Sequence, residues 1–583
     1  MSAQYRQEYP RPQFERDTWL NLNGEWEFEF DDDSIGEKER WYESSRPFSR
    51  KIQVPFCFQS KLSGIGITDF HDVVWYRRKI QIPEEFKGKR IILHFGAVDY
   101  IAKVWVNGRM VKYHEGGHTP FCADITDVIE DSEAVIVLRA EDFSEDMSIP
   151  RGKQYWKEKS AGIFYTRTTG IWQTVWIEAV NETYLERVKF NPDIDACEIK
   201  IDTSVKGYNP GKEVSLQVEI SFNGETFVKD TYAVGSPAET RTIRLRGRNG
   251  QNMSYYWTPE RPHLFDVQFT LLVDGQEVDS VKSYFGMRKI SVENGKVMLN
   301  NRPYFMKMVL DQGYFPDGVL TAPTDEALKN DVEITKAMGF NGARKHQKVE
   351  DPRYLYWCDK LGLLVWGEMA NAYVYTDEYV RRITREWMEV IERDYNHPCI
   401  VAWVPINESW GVGDILNDKL QQSHALAMYH LTKSFDSTRL VISNDGWEHV
   451  KSDLCTIHDY EWRYGVLAER YSEVEKALAS APAGKFIFAN GYKYEGQPIL
   501  VTEFGGIAFK KSDWEGWGYS GAQDEEDFLK RLKDVVQPLT ESGVVQGFCY
   551  TQLTDVEQEI NGLVTYDRVP KVPLEKIREI IGG

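Results

Sequence analysis

From about residue 287 onward, short apolar runs alternate along the chain with amphipathic segments. Each run has the length of one buried strand, and each amphipathic segment repeats its apolar residues at helical spacing. Thr376 and Asp524 precede two such segments and are predicted helix N-caps. The pattern predicts eight strands, the number that closes a parallel (α/β)8 TIM barrel, at residues 304–310, 340–346, 363–369, 400–406, 440–445, 454–460, 499–504 and 545–551.

Before residue 287, apolar and polar residues alternate at every second position, as in 74–82 and 265–272. This period is typical of strands with one buried face, and turn residues such as Asn107-Gly108 separate them. The pattern predicts a two-sheet β-sandwich at 1–182, an immunoglobulin-like β-sandwich at 183–286 and the barrel at 287–583.

Neither predicted sandwich shows a convincing cluster of catalytic residue types, so we expect the chemistry in the barrel. His114, His118 and Asp124 have metal-ligand side chains. Isolated loop histidines are more often structural, and we predict no metal site.

Composition narrows the class of protein. The 583 residues are 42% hydrophobic and 27% charged, as in soluble multidomain proteins. A net charge of −20 argues against nucleic acid and anionic membranes as partners. The seven cysteines contain no CxxC pair, which indicates neither a disulfide framework nor a zinc site. The first residues lack the apolar stretch of a signal peptide and no run approaches a membrane span, so we expect a cytoplasmic protein.

Two predicted barrel strands lead into glutamates. The run VAWVPI at 401–406 precedes Asn407-Glu408, and ILVT at 499–502 precedes Glu503. A charged residue is common after any strand that reaches solvent. In a barrel, however, the C-terminal ends of all strands converge on one rim. Two carboxylates facing each other there are what glycosidic bond hydrolysis requires.

Other polar residues stand at equivalent strand ends, and aromatic residues are abundant. The 13% of aromatic residues, including 18 tryptophans, suits both large β-rich cores and stacking on sugar rings. Because the rim is shared, we expect these polar strand-end residues near the substrate: Asp311, Arg344, His346, Glu368, Asn444, Asp445, His458, Asp459, Tyr460 and Gln552.

Several short motifs stand out along the chain. They are GGHTPF at 116–121, NGAR at 341–344, NHP at 396–398 with Trp403, NES at 407–409, TEFG at 502–505, and NGL at 561–563 with Asp567-Arg568. Together they make the chain resemble glycoside hydrolase family 2, the β-galactosidase/β-glucuronidase family, over essentially its whole length. The resemblance implies that the first sandwich is a sugar-binding jelly roll, and that the enzyme needs no organic cofactor and acts on a glycoside. It leaves a homo-oligomer open.

The resemblance also implies roles for five residues. Glu408 is then the general acid/base and Glu503 the nucleophile of a retaining mechanism. Asn407 would bind the sugar 2-hydroxyl, Arg344 would keep the nucleophile ionised, and Tyr460 would donate to it. We expect the ionised nucleophile and a poorly solvated neighbourhood to raise the pKa of Glu408.

Substrate choice is where the chain departs from the family. The family often shows Asn-Arg-His-Glu where this chain has Leu310-Asp311-Gln312-Gly313, and the Asn-x-Lys pair of its β-glucuronidases is missing between 551 and 564. The second departure disfavours a β-glucuronidase. Arg344, Lys345, His346 and Lys348 nevertheless form a basic cluster that could bind a carboxylate, unless alternate residues face outward.

The leading hypothesis is therefore an exo-acting, retaining β-glycosidase of β-galactosidase type. Alternatives within the class are a β-uronidase of galacturonidase type, using Lys345 and Lys348, and an α-L-arabinopyranosidase. A non-catalytic carbohydrate-binding protein is the alternative from another class, and it predicts a broken carboxylate pair.

Overall fold

The computed structural model describes residues 5–43, 46–130, 132–245, 252–511 and 515–582. The first part is a sandwich of two antiparallel sheets whose alternating apolar residues face each other. One sheet has the order β1-β12-β5-β9, the other β3-β2-β4-β10-β7-β8, and β6 pairs with β11. The strands are β1 Trp19–Asn21, β2 Gly24–Phe30, β3 Arg50–Val54, β4 Val73–Gln81, β5 Arg90–Phe95, β6 Val98–Asp99, β7 Ile101–Val106, β8 Arg109–Glu115, β9 Phe121–Asp124, β10 Glu133–Glu141, β11 Gly170–Ile171 and β12 Val175–Val180.

The second part is a smaller antiparallel sandwich with its own core of alternating apolar residues. The sheet β13-β14-β17 packs on the sheet β16-β15-β18-β19. Its strands are β13 Tyr184–Asp193, β14 Glu198–Lys206, β15 Val214–Phe222, β16 Glu225–Ala233, β17 Ala238–Arg244, β18 Phe265–Val273 and β19 Gln276–Phe285. A three-stranded sheet leads on to the third part, with β20 Ile290–Glu293, β21 Lys296–Leu299 and β22 Arg302–Pro303.

The third part is the barrel. All eight predicted strands are present and pair in parallel in the order β27-β26-β25-β24-β23-β32-β29-β28. The multidomain fold of two sandwiches and a TIM barrel is thereby confirmed. The strands are β23 Met306–Asp311, β24 Gly342–Lys345, β25 Leu364–Glu368, β26 Ile400–Val404, β27 Leu440–Val441, β28 Cys455–His458, β29 Ile499–Gly505 and β32 Val545–Thr551, with β30 Ile507–Ala508 and β31 Ser520–Gly521 as a short pair outside the barrel.

Eight helices accompany the barrel strands. Thr376 and Asp524 are N-caps as predicted, each accepting a hydrogen bond from a backbone amide three residues on. In the part of the chain that the structure describes, no helix is long and apolar enough to cross a bilayer. The helices are α1 Asp325–Ala337, α2 Pro352–Leu361, α3 Asp377–Asp394, α4 Lys419–Phe435, α5 Tyr464–Arg470, α6 Val474–Ala479, α7 Glu525–Thr540 and α8 Leu574–Ile581.

A long loop of the first sandwich, residues 142–169 between β10 and β11, reaches the barrel. Gly152 donates its amide hydrogen to the Asn371 carbonyl at 3.0 Å, and the Tyr165 hydroxyl donates to Glu559 Oε2 at 2.7 Å. Asn371 follows β25 and Glu559 follows β32, so the loop contacts the rim at two separate places. The first sandwich therefore contributes to the C-terminal rim of the barrel.

Candidate active site

The two predicted glutamates meet at the C-terminal rim of the barrel. Glu503 lies within β29, and Glu408 lies four residues beyond the end of β26. One carboxylate oxygen of each lies within 4.8 Å of the other. The Glu503 side chain is 6% exposed and the Glu408 side chain is 18% exposed, so both keep some accessible surface at the rim.

The backbone at Glu408 is unusual. Glu408 and Ser409 both adopt left-handed conformations, with φ of 51° and 61°. Such a conformation costs a non-glycine residue on the order of 1 kcal/mol and persists only where neighbours hold it. Here the Glu408 amide donates to the Asp445 carbonyl at 2.9 Å, and the Ser409 amide donates to Asn444 Oδ1 at 2.8 Å. These bonds turn the Glu408 side chain out of the strand direction.

Arg344 is the charged centre beneath the pair. Its side chain is fully buried, and its guanidinium donates to Glu368 Oε2 at 2.7 Å and to Glu503 Oε1 at 3.0 Å. Nη1, which donates to Glu503, also lies 2.9 Å from Asp445 Oδ2. Nη2 donates to Asn407 Oδ1 at 2.6 Å. A guanidinium keeps its charge in a protein. Arg344 therefore places a permanent positive charge against one oxygen of Glu503.

Asn407 has one hydrogen-bonding group left over. Its Oδ1 accepts from Arg344, and its backbone amide donates to Asn371 Oδ1 at 2.8 Å. Its Nδ2 is buried and has no partner among the described residues. Buried donors are normally paired, so this amide suits an acceptor that arrives with the substrate. The expected contact to a sugar hydroxyl is compatible with this geometry.

Tyr460 contacts Glu503 from the other side. Its hydroxyl donates to Glu503 Oε2 at 2.7 Å, and the Thr551 hydroxyl lies 3.2 Å from the same phenol oxygen. Its ring stacks on Tyr519 with the centroids 3.4 Å apart. Burial first, and then the charge of Glu503, raise the pKa of Tyr460 well above its usual range. The phenol therefore stays a donor, and each oxygen of Glu503 accepts one hydrogen bond.

His458 bridges Glu408 and a buried aspartate. Nδ1 lies 2.7 Å from Glu408 Oε1, and Nε2 lies 3.1 Å from Asp445 Oδ2. Burial lowers the pKa of His458, but the surrounding carboxylates outweigh it and raise the pKa to about 10. Gly446 leaves room for the ring, because a Cβ there would lie 2.6 Å from Nδ1. His458 is thus a cation held between carboxylates.

The expected rise in the pKa of Glu408 is wrong. Burial raises this pKa, but the hydrogen bond and charge of His458, with the charges of Lys153 and Arg344, lower it below the ordinary glutamate value. The sequence argument considered burial and the neighbouring Glu503, and it did not include a cation in direct contact. Glu408 is therefore ionised and His458 carries the proton.

The ammonium groups of Lys345 and Lys348 contact carboxylates and carbonyls of the protein and do not face the Glu408–Glu503 pair. Lys345 Nζ donates to Asp311 Oδ2 at 2.6 Å and lies 2.7 Å from Glu350 Oε2. Lys348 lies 2.9 Å from Glu350 Oε1 and donates to the carbonyls of Gly313 and Leu320. Both ammonium groups are buried and neutralised by these carboxylates. These contacts correct the expectation that Lys345 and Lys348 bind a substrate carboxylate.

The remaining predicted residues divide into two groups. Glu368 and His346 adjoin Arg344: His346 Nδ1 lies 2.9 Å from Glu368 Oε1 and 3.9 Å from Glu503 Oε1. Asp459 instead accepts from Tyr471 at 2.9 Å and pairs with Arg470.

Gln552 exchanges its hydrogen bonds with side chains around it rather than with the carboxylate pair. Gln312 donates to its Oε1 at 2.8 Å, and its Nε2 donates to Asn561 Oδ1 at 2.7 Å. Gln552, Asp459 and Asp311 therefore support the walls of the site, since their polar atoms are occupied by protein partners.

Sequence reasoning missed a residue of the first sandwich. Lys153 is buried, and its Nζ lies 5.2 Å from the Trp410 ring centroid, two residues after Glu408. The surrounding loop is rich in aromatic side chains, including Tyr155, Trp156 and Phe164. That local density of aromatic residues beside a lysine was the available signal. The assumption that both sandwiches are non-catalytic hid it.

Two groups of described residues combine metal-ligand side chains at close range. They are Glu408 with His458 and Glu503, and Asp359 with His397 and Cys399. In each group the histidine Nδ1 already contacts a carboxylate, at 2.7 Å and 2.5 Å respectively. Internal hydrogen bonding accounts for both clusters, and we assign no metal to either.

Comparison with known proteins supplies the family. Residues 20–168 match the sugar binding domain of glycosyl hydrolases family 2, residues 183–288 match its central domain, and residues 290–583 match its TIM barrel domain. A β-galactosidase of Thermoanaerobacter pseudethanolicus is 29% identical over 70% of this chain and 53% of its own length. A β-glucuronidase of Paenibacillus borealis is 24% identical over 96% of both chains. The chain spans about half the length of the first three curated relatives it matches.

Solved structures show the same architecture. The β-glucuronidase of Ruminococcus gnavus in complex with D-glucuronic acid superposes with a TM-score of 0.78 at 20% identity, covering 99% of this chain and all of that one. A β-galacturonidase from Eisenbergiella tayi gives 0.74 at 20% identity, covering 98% and 97%. With three consecutive domain matches and one shared domain order, the chain belongs to glycosyl hydrolases family 2.

Proposed function

We propose that this protein is an exo-acting, retaining β-glycosidase in which Glu503 is the nucleophile and Glu408 the general acid/base. The observation that carries the proposal is the separation of the two carboxylates, whose oxygens lie within 4.8 Å. Retaining enzymes hold their carboxyl groups about 5–5.5 Å apart, whereas inverting enzymes need about 6.5–9.5 Å to admit a water. The observed spacing supports double displacement.

The first step needs an ionised nucleophile and a proton for the leaving oxygen. Arg344 and Tyr460 each donate a hydrogen bond to one oxygen of Glu503, which orients the carboxylate for attack on the anomeric carbon. The proton for the aglycone is held by His458, 2.7 Å from Glu408. Substrate that displaces water and covers Glu408 favours transfer of this proton onto the carboxylate, which then donates it to the leaving oxygen.

The second step reverses these roles. Glu408, again ionised, takes a proton from water as the water attacks the glycosyl–Glu503 ester, and the sugar leaves with its original anomeric configuration. Asp445 contacts the far nitrogen of His458 and keeps the imidazole oriented during both transfers. Asn407, with its unpartnered Nδ2, is the proposed donor to the sugar 2-hydroxyl.

Two substrate classes have support. The curated relatives include both β-galactosidases and β-glucuronidases. One feature of the site favours a β-uronide over the β-galactoside suggested by the sequence: among the described residues, no carboxylate forms an ion pair with the buried Lys153. The α-L-arabinopyranoside remains a third substrate to be assayed.

Covalent trapping tests the mechanism. Enzyme incubated with 2-deoxy-2-fluoro-β-galactosyl fluoride, and separately with its galacturonyl counterpart, should gain one sugar mass on the peptide that contains Glu503. The exposed Glu495→Gln variant should label like wild type, and Glu503→Gln should not label. A label on another residue, or an inverted product seen by NMR during turnover, would reject the proposal. A purely carbohydrate-binding protein would bind sugar without label or turnover.

A further inference from the structure

Lys153 differs from the other buried lysines at the barrel rim. Lys345 pairs with Asp311 at 2.6 Å and Lys571 pairs with Asp555 at 2.6 Å. Lys153 is only 7% exposed, yet within the described ranges no carboxylate forms an ion pair with its ammonium group. A buried charge without a counter-ion is costly, and the cost is relieved when an anion binds. Among the described residues, Lys153 is therefore a buried rim cation with no carboxylate at ion-pair distance.

The backbone around Lys153 is attached firmly to the barrel. The Tyr373 hydroxyl donates to the carbonyls of Gly152 at 2.6 Å and Gln154 at 2.9 Å. Gly152 has a φ of 62°, and a Cβ there would lie 2.2 Å from the Gln347 carbonyl oxygen. Only glycine fits this close approach. The loop thus holds Lys153 at a set position over the ends of β24 and β25.

The lysine side chain extends toward the catalytic pair. Its Nζ lies over Trp410, which also contacts Phe164 and Tyr373 at ring-centroid distances of 5.6 Å. This aromatic surround excludes water from one side of the ammonium group and strengthens its interaction with an anion. Trp410 follows Glu408 by two residues, so the cation lies beside the segment that carries the proposed acid/base.

Electrostatics agree with this position. Burial is the largest influence on the pKa values of Glu408, His346 and Glu559, and the Lys153 charge lowers all three. These residues follow three different barrel strands, so the ammonium group lies between them. Glu559 is itself engaged, since its Oε2 accepts from Tyr165 at 2.7 Å and from Gln552 at 3.2 Å.

We propose that Lys153 binds the C6 carboxylate of a β-uronide and thereby selects an anionic sugar. The inference rests on the proposed glycosidase function and names its substrate class. A neutral hexoside offers only hydroxyl groups, which would leave the ammonium charge uncompensated. The acidic groups of the catalytic network are already bound to Arg344 and His458, so the incoming carboxylate supplies the missing partner.

Binding of the carboxylate also assists the first chemical step. Neutralising the Lys153 charge removes one influence that lowers the pKa of Glu408. Glu408 then takes up a proton more readily at the moment when it must act as an acid. Anion recognition and general acid catalysis are thereby coupled through one side chain.

The test compares Lys153→Met, Lys153→Arg, wild type and the control Lys157→Met, which alters an exposed lysine of the same loop. Each full-length protein is assayed with 4-nitrophenyl β-galacturonide, β-glucuronide, β-galactoside and β-glucoside. We expect wild type to prefer a uronide. In Lys153→Met, kcat/KM for the uronide should fall about 100-fold, mainly through a higher KM, while kcat/KM for neutral glycosides should change less than about fivefold. Lys153→Arg should recover part of the loss, and Lys157→Met should match wild type.

Two results would overturn the inference. One is an unchanged ratio of uronide to neutral activity in Lys153→Met, and the other is a wild-type enzyme that turns over a neutral glycoside but no uronide. If thermal unfolding shows that Lys153→Met does not fold, two other measurements decide the question. One is the ratio of uronide to neutral activity in Lys153→Arg, and the other is whether wild type binds free galacturonate or glucuronate more tightly than galactose. After either of these two results, a fluoro-sugar should still label Glu503. If the proposed glycosidase function is itself wrong, no fluoro-sugar should label Glu503.

Discussion

Arg344 and Lys345 are neighbours on β24, yet each is the centre of a different buried ion cluster. Arg344 bonds Glu368, Asp445 and Glu503. Lys345 bonds Asp311 and Glu350. Successive side chains of a strand point to opposite faces, so one cluster lies inside the barrel at the pocket and the other lies behind its wall.

The two clusters are similarly buried but differ in access. Around Lys345, the side chains of Asp311 and Glu350 are at most 2% exposed, and the cations and carboxylates satisfy one another. The Arg344 cluster extends to Glu408, which is 18% exposed, and to Asn407, which keeps a free donor. Buried charge alone therefore does not mark a functional site. Accessible atoms with incomplete partners do.

Among substitutions that test this comparison, removal of the proposed nucleophile should have the largest effect. Glu503→Gln keeps the size of the side chain but cannot form the glycosyl ester, so we expect kcat to fall on the order of 10⁵-fold. Activity is measured with an aryl β-glycoside, and the exposed Glu495→Gln is the matched control. Turnover close to wild type in Glu503→Gln would show that the Arg344 cluster is not the catalytic one.

Removal of the acid/base should have a smaller and leaving-group-dependent effect. In Glu408→Ala we expect about a 10³-fold loss on alkyl glycosides, whose leaving oxygen needs a proton. A dinitrophenyl glycoside leaves without protonation, so formation of the glycosyl-enzyme should change less than about tenfold. Equal losses on both substrates would contradict the acid role. Pre-steady-state release of the phenol separates this step from hydrolysis of the intermediate.

The closed cluster should affect stability rather than chemistry. Lys345→Met leaves Asp311 and Glu350 without their shared cation, which should cost about 3–5 kcal/mol in the free energy of unfolding. The kcat/KM of the folded fraction should stay within about threefold of wild type. Urea unfolding and kinetics of the same preparation measure the two quantities, with the exposed Lys296→Met as control. A large fall in kcat/KM without loss of stability would place Lys345 in the functional site.

The smallest expected effect is a pH-dependent one at His458. Its pKa in the folded protein, about 10, lies above its ordinary value of 6.5 because of the carboxylates around it. A raised pKa contributes stability that is complete below pH 6.5 and is lost as pH rises toward 10. The difference in unfolding free energy between wild type and His458→Gln should therefore shrink between pH 6.5 and pH 10. The exposed His430→Gln should show no such trend, and a constant difference for His458→Gln would contradict the charged form.

Much of the site was accessible to prediction because barrel geometry converts strand order into proximity. Once eight strands are recognised, Glu408 and Glu503 must share a rim, and Arg344 and Tyr460 follow from their strand ends. The pairing of Lys345 and Lys348 was not accessible, because their counter-ions Asp311 and Glu350 stand in different loops and strand ends. Neither was the protonated state of His458, which depends on three carboxylates from separate strands.

The sequence by itself determined the elements of this protein, since hydrophobic period and N-caps such as Thr376 and Asp524 act within a few residues. It also determined the family and the identities of the carboxylate pair through short motifs. Only the tertiary structure decided which charges are compensated and which remain available. Arg344 faces the pocket and Lys345 does not, Glu408 is ionised by His458, and Lys153 reaches the rim from another domain. Each of these outcomes depends on contacts between residues far apart in the chain, where local pattern carries no information.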